Sequence, residues 1–141
     1  MEIQRIRNVI LPSRGTLLSA GIDFYTPNDI DEIILKPNES CLIPSGIVAR
    51  VPKKHMLCAF NKSGIVVKQG LSVGACVVDE DYDLEIHLHV INTSLVETII
   101  KPGQKLIQFV LIPVNYESIE EVEELPKRIS ERKGGFGSTG I

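Results

Sequence analysis

The sequence predicts an all-β domain, an antiparallel sandwich or barrel with at most one or two short helices. Two observations carry that expectation. Turn signals recur at nearly even intervals: Pro12-Ser13-Arg14-Gly15, Pro27-Asn28-Asp29, Lys36-Pro37-Asn38, Pro44-Ser45-Gly46, Pro52-Lys53-Lys54 and Lys101-Pro102-Gly103. Between them lie short runs rich in Ile, Val and Leu, and strands that must turn before they outgrow one core read as an antiparallel all-β fold. The expected strands are residues 32–35, 47–51, 56–60, 84–91, 98–100 and 106–112. Residues 63–68 read as one short helix, with Ser63 as its capping residue and Gly70 closing it. Ile119, Val122 and Leu125 recur at three-residue spacing within the acidic run 117–124. That run is either a second short helix or a solvated face.

A chain of 141 residues is the size of one domain, and a single core then buries roughly two thirds of the unfolded surface without a staple. The division expected is a β domain over 1–127 and a Gly-rich arm over 128–141. Fifteen Lys+Arg against 18 Asp+Glu leave a net charge of −3, which argues against a general nucleic-acid or membrane binder, since either needs a basic excess. No apolar run is long enough to span a bilayer. The amino end lacks a secretory signal, so the expected compartment is cytoplasmic (nuclear, or the host-cell cytosol, for a eukaryotic or viral source). Cys41, Cys58 and Cys76 are dispersed with no CxxC and read as reduced structural thiols, not a disulfide or zinc site.

Four segments carry candidate chemistry. Asn61-Lys62-Ser63-Gly64 opens the expected helix, where unpaired N–H groups, a lysine charge and a hydroxyl suit a phosphate; any Ser-Gly helix start looks similar. Gly74-Ala75-Cys76-Val77-Val78-Asp79-Glu80-Asp81-Tyr82 runs from small and β-branched residues into three acids and a ring. On a half-buried hairpin, Asp79 and Asp81 share a face and Glu80 points away. The segment is either a polar turn or a carboxylate that deprotonates a water beside a ring that packs on a sugar or base. His87 and His89 alternate with apolar residues, and without a third ligand at suitable spacing they read as the outward or subunit-facing side of a strand before a metal site. The tail, Arg132-Lys133-Gly134-Gly135-Phe136-Gly137-Ser138-Thr139-Gly140, has one large apolar side chain and cannot build a core. It is a frayed terminus, or an arm that orders over a ligand: glycine N–H groups and hydroxyls on phosphate, Phe136 on a planar ring.

Read in order, these segments resemble the trimeric dUTPase family. Ser19-Ala20-Gly21-Ile22-Asp23-Phe24 is similar to the first motif and Lys62-Ser63-Gly64-Ile65…Lys68 to the second. The third, a uridine-binding hairpin, is similar to Val73–Tyr82. Pro102-Gly103-Gln104-Lys105-Leu106-Ile107-Gln108-Phe109 resembles the fourth, and Gly134-Gly135-Phe136-Gly137-Ser138-Thr139-Gly140 the fifth. Five motifs in the right order, spread over residues 19 to 140, make the set specific where no single motif would.

The resemblance implies a jelly-roll-like β fold, a homotrimer, and hydrolysis of dUTP to dUMP and pyrophosphate with Mg²⁺, with the arm closing over a neighbouring subunit's nucleotide. No nucleic-acid and no membrane partner is expected, from the net charge of −3. By resemblance, Asp79 activates the attacking water, and Asp23 holds waters around Mg²⁺. Lys62, Ser63, Gly64 and Gln108 contact the phosphate chain. Main-chain groups of the hairpin at Gly74, Cys76 and Val78 read uracil, and Tyr82 packs under deoxyribose. Phe136 stacks over the base, Gly137, Ser138 and Thr139 take the terminal phosphate region, and Arg132 stands nearest the arginine that precedes the family's tail. Lys62 replaces the usual Arg, giving a point charge in place of a bidentate fork. Cys76 replaces a Gly beside the base, Asp83-Leu84 replaces Arg-Gly, and Glu131 replaces Arg. The competing expectations are a nucleotide-binding regulator with weakened catalysis, and a related pyrimidine deoxynucleotide hydrolase or deaminase with altered base preference.

Overall fold

The computed structural model describes residues 1–129. Strands β1 (Glu2–Arg5), β5 (Ser40–Arg50), β9 (Glu85–Asn92) and β7 (Leu71–Val73) form one sheet in that spatial order. A second sheet has the order β2 (Ser13–Arg14), β3 (Ile22–Tyr25), β11 (Lys105–Pro113), β6 (His55–Phe60) and β8 (Val77–Val78). β4 (Ile33–Leu35) and β10 (Thr98–Ile100) pair as a separate ribbon. All these pairings are antiparallel, and one apolar cluster takes side chains from both large sheets. The expected all-β class is what the chain forms.

Period-two alternation decides which side chains enter that cluster. Along β9, Ile86, Leu88, Val90 and Asn92 are buried while Glu85, His87, His89 and Ile91 face outward. In the second sheet Phe24 of β3 and Phe109 of β11 meet with ring centroids 4.7 Å apart and planes tilted by 57°, a geometry aromatic quadrupoles favour. Three predicted turns close as expected. The N–H of Glu39 donates to Lys36 O, that of His55 to Pro52 O and that of Gln104 to Lys101 O. Asn38, Lys54 and Gly103 supply the positive φ at the third turn position, as a type II turn requires.

Pro44-Ser45-Gly46 is not a turn. It lies inside β5, where the register against β9 shifts between Pro44 and Val48. The strand absorbs the punctuation as a bulge, because Gly46 takes φ +74° and its N–H is satisfied by the Glu85 carboxylate at 2.7 Å. A Cβ at 46 would stand 2.9 Å from the Cβ of Arg7 and 3.0 Å from Cγ1 of Val9. Gly46→Ala is therefore expected to destabilise the fold by about 1–3 kcal/mol, the cost of a strained backbone position, read as a lower urea midpoint with unchanged slope.

The helix α1 spans Ser63–Gln69 and is closed by Gly70 at φ 63°, whose N–H reaches Val66 O. Ser63 is not its cap: Lys62 holds that position without a side-chain cap hydrogen bond, since its carbonyl already accepts the N–H groups of Ile65 and Val66. No helix forms over Ile119, Val122 and Leu125. All three are exposed, because three apolar residues among glutamates find no surface to bury against. β1, β2, β3, β7 and β8, short and in part polar, are additional to the expected strands. No helix among the described residues is long and apolar enough to cross a membrane.

Candidate active site

The second sheet brings three distant segments together. Asp23 of β3 stands opposite Gln108 of β11, and Gln108 stands opposite Phe60 of β6. β6 then runs directly through Asn61 and Lys62 into α1. Gln108 donates from Nε2 to the Asn61 carbonyl at 2.7 Å, and the Asn61 side-chain oxygen accepts the Val73 N–H at 2.7 Å. Asn61 thus ties the helix start, β11 and the base of the 73–82 segment into one unit. Gly21 leaves the space that Gln108 needs, since a Cβ there would lie 2.0 Å from Oε1 of Gln108.

Asp23 is 5% exposed and is bonded on both oxygens, to Lys62 Nζ at 2.5 Å and Lys105 Nζ at 2.9 Å. Burial pushes its carboxyl upward, but hydrogen bonds from Lys62 and Lys105, with their charges, outweigh burial and hold it below the usual carboxylate range. Lys105 is raised, chiefly by its bond to Asp23. Each carboxylate oxygen keeps a second lone-pair direction, so Asp23 suits holding the hydration waters of a divalent ion rather than ligating it directly. Among the described residues, no three His, Cys, Asp or Glu side chains could enclose a metal.

The 73–82 segment is not a hairpin of two mutually paired strands. β7 pairs with β9 at the edge of one sheet, and β8 pairs with β6 at the edge of the other, so residues 74–76 cross between sheets. Each arm finds its own open strand edge, which removes any need for the arms to pair together. The crossover is fixed by Gly74 N–H to His89 O at 3.0 Å and Ala59 N–H to Cys76 O at 2.7 Å. Ala75 N–H donates to the His89 ring at 2.7 Å. Among the described residues, no hydrogen bond engages the Cys76 N–H or the Gly74 and Ala75 carbonyls. Cys76, Val77, Val78 and Tyr82 line a shallow depression together with Leu42 and Phe109.

Asp79 opens a turn closed by Tyr82 N–H to Asp79 O at 3.3 Å. Asp79 and Asp81 are exposed. Glu80 turns away, accepting the Lys54 N–H at 2.6 Å and the Tyr116 hydroxyl at 2.9 Å; these two bonds, that from Lys54 first, hold its carboxyl low. No hydrogen bond among the described residues engages the Asp79 carboxylate. Tyr82 is half-buried against the core, with its hydroxyl donating to Glu85 O at 3.0 Å. Ser63 and Gly64 are exposed on α1, and a Cβ at 64 would meet nothing within 4 Å. Arg132, Phe136, Gly137, Ser138 and Thr139 lie outside the described residues. Cys41, Cys58 and Cys76 are free thiols.

Sequence reasoning passed over Asn61, Lys105 and His89 as working residues. Asn61 and Lys105 sit inside quoted motifs, so their position was a usable signal. His89 carried none beyond facing outward on its strand, because its partner is a backbone N–H on another segment.

A dUTPase family model matches residues 7–140. The deoxyuridine 5'-triphosphate nucleotidohydrolase of Finegoldia magna is 38% identical over 92% of this chain and 91% of its own. That of the Wolbachia of Culex pipiens is 34% identical over 99% and 95%. Among solved structures, the dUTPase of Staphylococcus bacteriophage 80alpha with dUpNHpp superposes with a TM-score of 0.88 at 19% identity, covering 99% of this chain and 98% of that one. A mutant dUTPase of the S. aureus phage phi11, solved with a structural Mg(II) ion, gives 0.80 at 18% identity over 89% and 98%.

Proposed function

The chain belongs to the dUTPase family, and from that premise we propose that it is a dUTP diphosphatase, hydrolysing dUTP to dUMP and pyrophosphate. Such an activity limits uracil incorporation into DNA and supplies dUMP. The observation that carries the reading is the convergence at Asn61, which joins the phosphate-side residues Lys62 and Gln108 to the 73–82 segment.

Uracil presents acceptor, donor and acceptor along O4, N3 and O2. At the crossover the Cys76 N–H supplies a donor for a uracil carbonyl oxygen and a free carbonyl of Gly74 or Ala75 an acceptor for N3–H, with Val78 flooring the depression. Cytosine would set its amino donor against the segment's donor, costing about 1–3 kcal/mol per unsatisfied group. Tyr82 packs under the deoxyribose and leaves no room for a 2′-hydroxyl. Lys62, Ser63, Gly64 and Gln108 take the phosphate chain, where neutralising charge is the main electrostatic task. Asp79, exposed and unpaired among the described residues, accepts a proton from a water that attacks the α-phosphorus. Asp23, with Lys62 and Lys105 beside it, is the group that would hold Mg²⁺ through water. When bound on the phosphates, a divalent ion supplies charge neutralisation and orientation there.

The reading extends to a cytoplasmic homotrimer in which the arm 128–141 closes over a neighbouring subunit's nucleotide. Arg132, Phe136, Gly137, Ser138 and Thr139 then complete the site. The test is pyrophosphate release by the purified chain with Mg²⁺ on dUTP, dCTP, dTTP and UTP. Release from dUTP is expected to exceed that from dCTP by at least about a hundredfold, the discrimination two unsatisfied polar groups give. It should also exceed that from UTP, whose 2′-hydroxyl meets Tyr82, and from dTTP, whose 5-methyl meets the crossover. Equal or negligible rates on all four contradict it, and tight dUTP binding without turnover would mark a regulator.

A further inference from the structure

We propose that His89 is a positioning residue for base recognition, whose neutral ring clamps the Gly74–Cys76 crossover from beneath. This rests on the dUTP reading above. The geometry is local. Gly74 N–H donates to the His89 carbonyl at 3.0 Å, and Ala75 N–H donates to His89 Nδ1 at 2.7 Å. One residue of β9 therefore holds two consecutive amides of the crossover, one by its backbone and one by its ring. The ring also explains the glycine: a Cβ at 74 would lie 2.1 Å from Nδ1 and 2.4 Å from Cε1 of His89.

The clamp decides which main-chain groups remain for a ligand. With the Gly74 and Ala75 N–H groups both turned toward β9, the donor left on the crossover is the Cys76 N–H, flanked by carbonyl acceptors. On uracil's edge that N–H would face a carbonyl oxygen, O4 or O2, and a free carbonyl would face N3–H. If the Ala75 N–H were released, the Cys76 N–H and the carbonyls beside it would lose their fixed direction, and a pyrimidine with a different edge would be rejected less strongly.

A backbone amide only donates, so Nδ1 must carry its lone pair and the ring proton must sit on Nε2. A protonated ring would face the Ala75 donor with a second donor and open the clamp. The same outward face carries His87 and Ile91 on β9, Ser40, Leu42 and Pro44 across β5, and Ser72 and Gly74 on the other side. Cys76 lines the depression beside the crossover, with its thiol next to that of Cys58. His87 and Cys76 are thus the other titratable groups around the ring, and His87 is itself turned to the Glu85 carbonyl at 2.9 Å.

The experiment compares wild type, His89→Ala and His89→Asn, since an asparagine oxygen falls near the Nδ1 position and restores an acceptor. Loss of this hydrogen bond predicts that His89→Ala raises KM for dUTP by up to about tenfold and lowers dUTP-over-dCTP discrimination by a similar factor. Its kcat should stay within about twofold, because Asp79 is untouched. His89→Asn should restore KM, because its side-chain oxygen again accepts the Ala75 N–H. Hydrogen exchange at the Ala75 amide should quicken in His89→Ala and remain slow in His89→Asn. An active wild type whose KM and discrimination are unchanged in His89→Ala overturns the role of His89 alone. A wild type inert on dUTP overturns the hydrolase reading and this inference with it, and a slow Ala75 amide would identify that as the cause.

Discussion

Asp79→Asn is expected to lower turnover of dUTP by about a thousandfold, within the range a positioned general base contributes, while leaving nucleotide affinity within a few-fold. The amide is isosteric and cannot take the proton. The surroundings of Asp79 make the split interpretable. Its carboxylate is exposed and holds no other residue among those described, so the substitution removes chemistry without removing a structural bond. Glu80 is the opposite case. Its carboxylate ties the turn to Lys54 and Tyr116, and Glu80→Gln should act on the turn before it acts on catalysis. Titration calorimetry with a non-hydrolysable dUTP analogue, paired with pyrophosphate release, separates the two. Asp79→Asn that turns over dUTP at near wild-type rate removes Asp79 from the mechanism.

Asp23→Asn should cost about 2–3 kcal/mol of stability, somewhat less than the 3–5 of a fully buried broken pair because Lys105 reaches solvent and is screened. Asp23 neutralises two lysines from within the sheet, and its amide would set an NH₂ group against one of them. The variant should show a lower urea midpoint with an unchanged slope, measured at fixed chain concentration. The pH dependence has a defined sign. Asp23 titrates lower in the folded chain than in the unfolded one, so its contribution is fully present above its unfolded value, about 4. That contribution is lost as pH falls from there through the folded value. Wild type should lose this increment on acidification and the variant should not. A midpoint within error of wild type would mean that the pair contributes nothing net.

Much of the architecture was legible because it is written in turns and alternation. Thr98–Ile100 is a strand as expected, the expected strands 56–60 and 106–112 lie within observed ones, those at 47–51 and 84–91 overrun theirs by one residue, and Gly70 closes α1 as read. Pro44-Ser45-Gly46 misled for a physical reason. A bulge uses the same residue types as a turn, and only the Glu85 side chain, 39 residues away, shows that the strand continues. The 73–82 segment misled similarly, because local pattern shows two strands but not which edge each will find. In the site, Asp23, Lys62 and Gln108 were read individually, and the structure adds that Asn61 and Lys105 bind them together. His89 was illegible as a site residue because its role is a bond to another segment's backbone, which leaves no trace in residue type.

The account centres on water delivered by Asp79 to the innermost phosphorus. Hydrolysis of dUTP in ¹⁸O-water, followed by mass spectrometry of both products, tests this most directly. A single heavy oxygen in dUMP and none in pyrophosphate is the predicted result. Label appearing in pyrophosphate would place the attack on another phosphorus and contradict the mechanism.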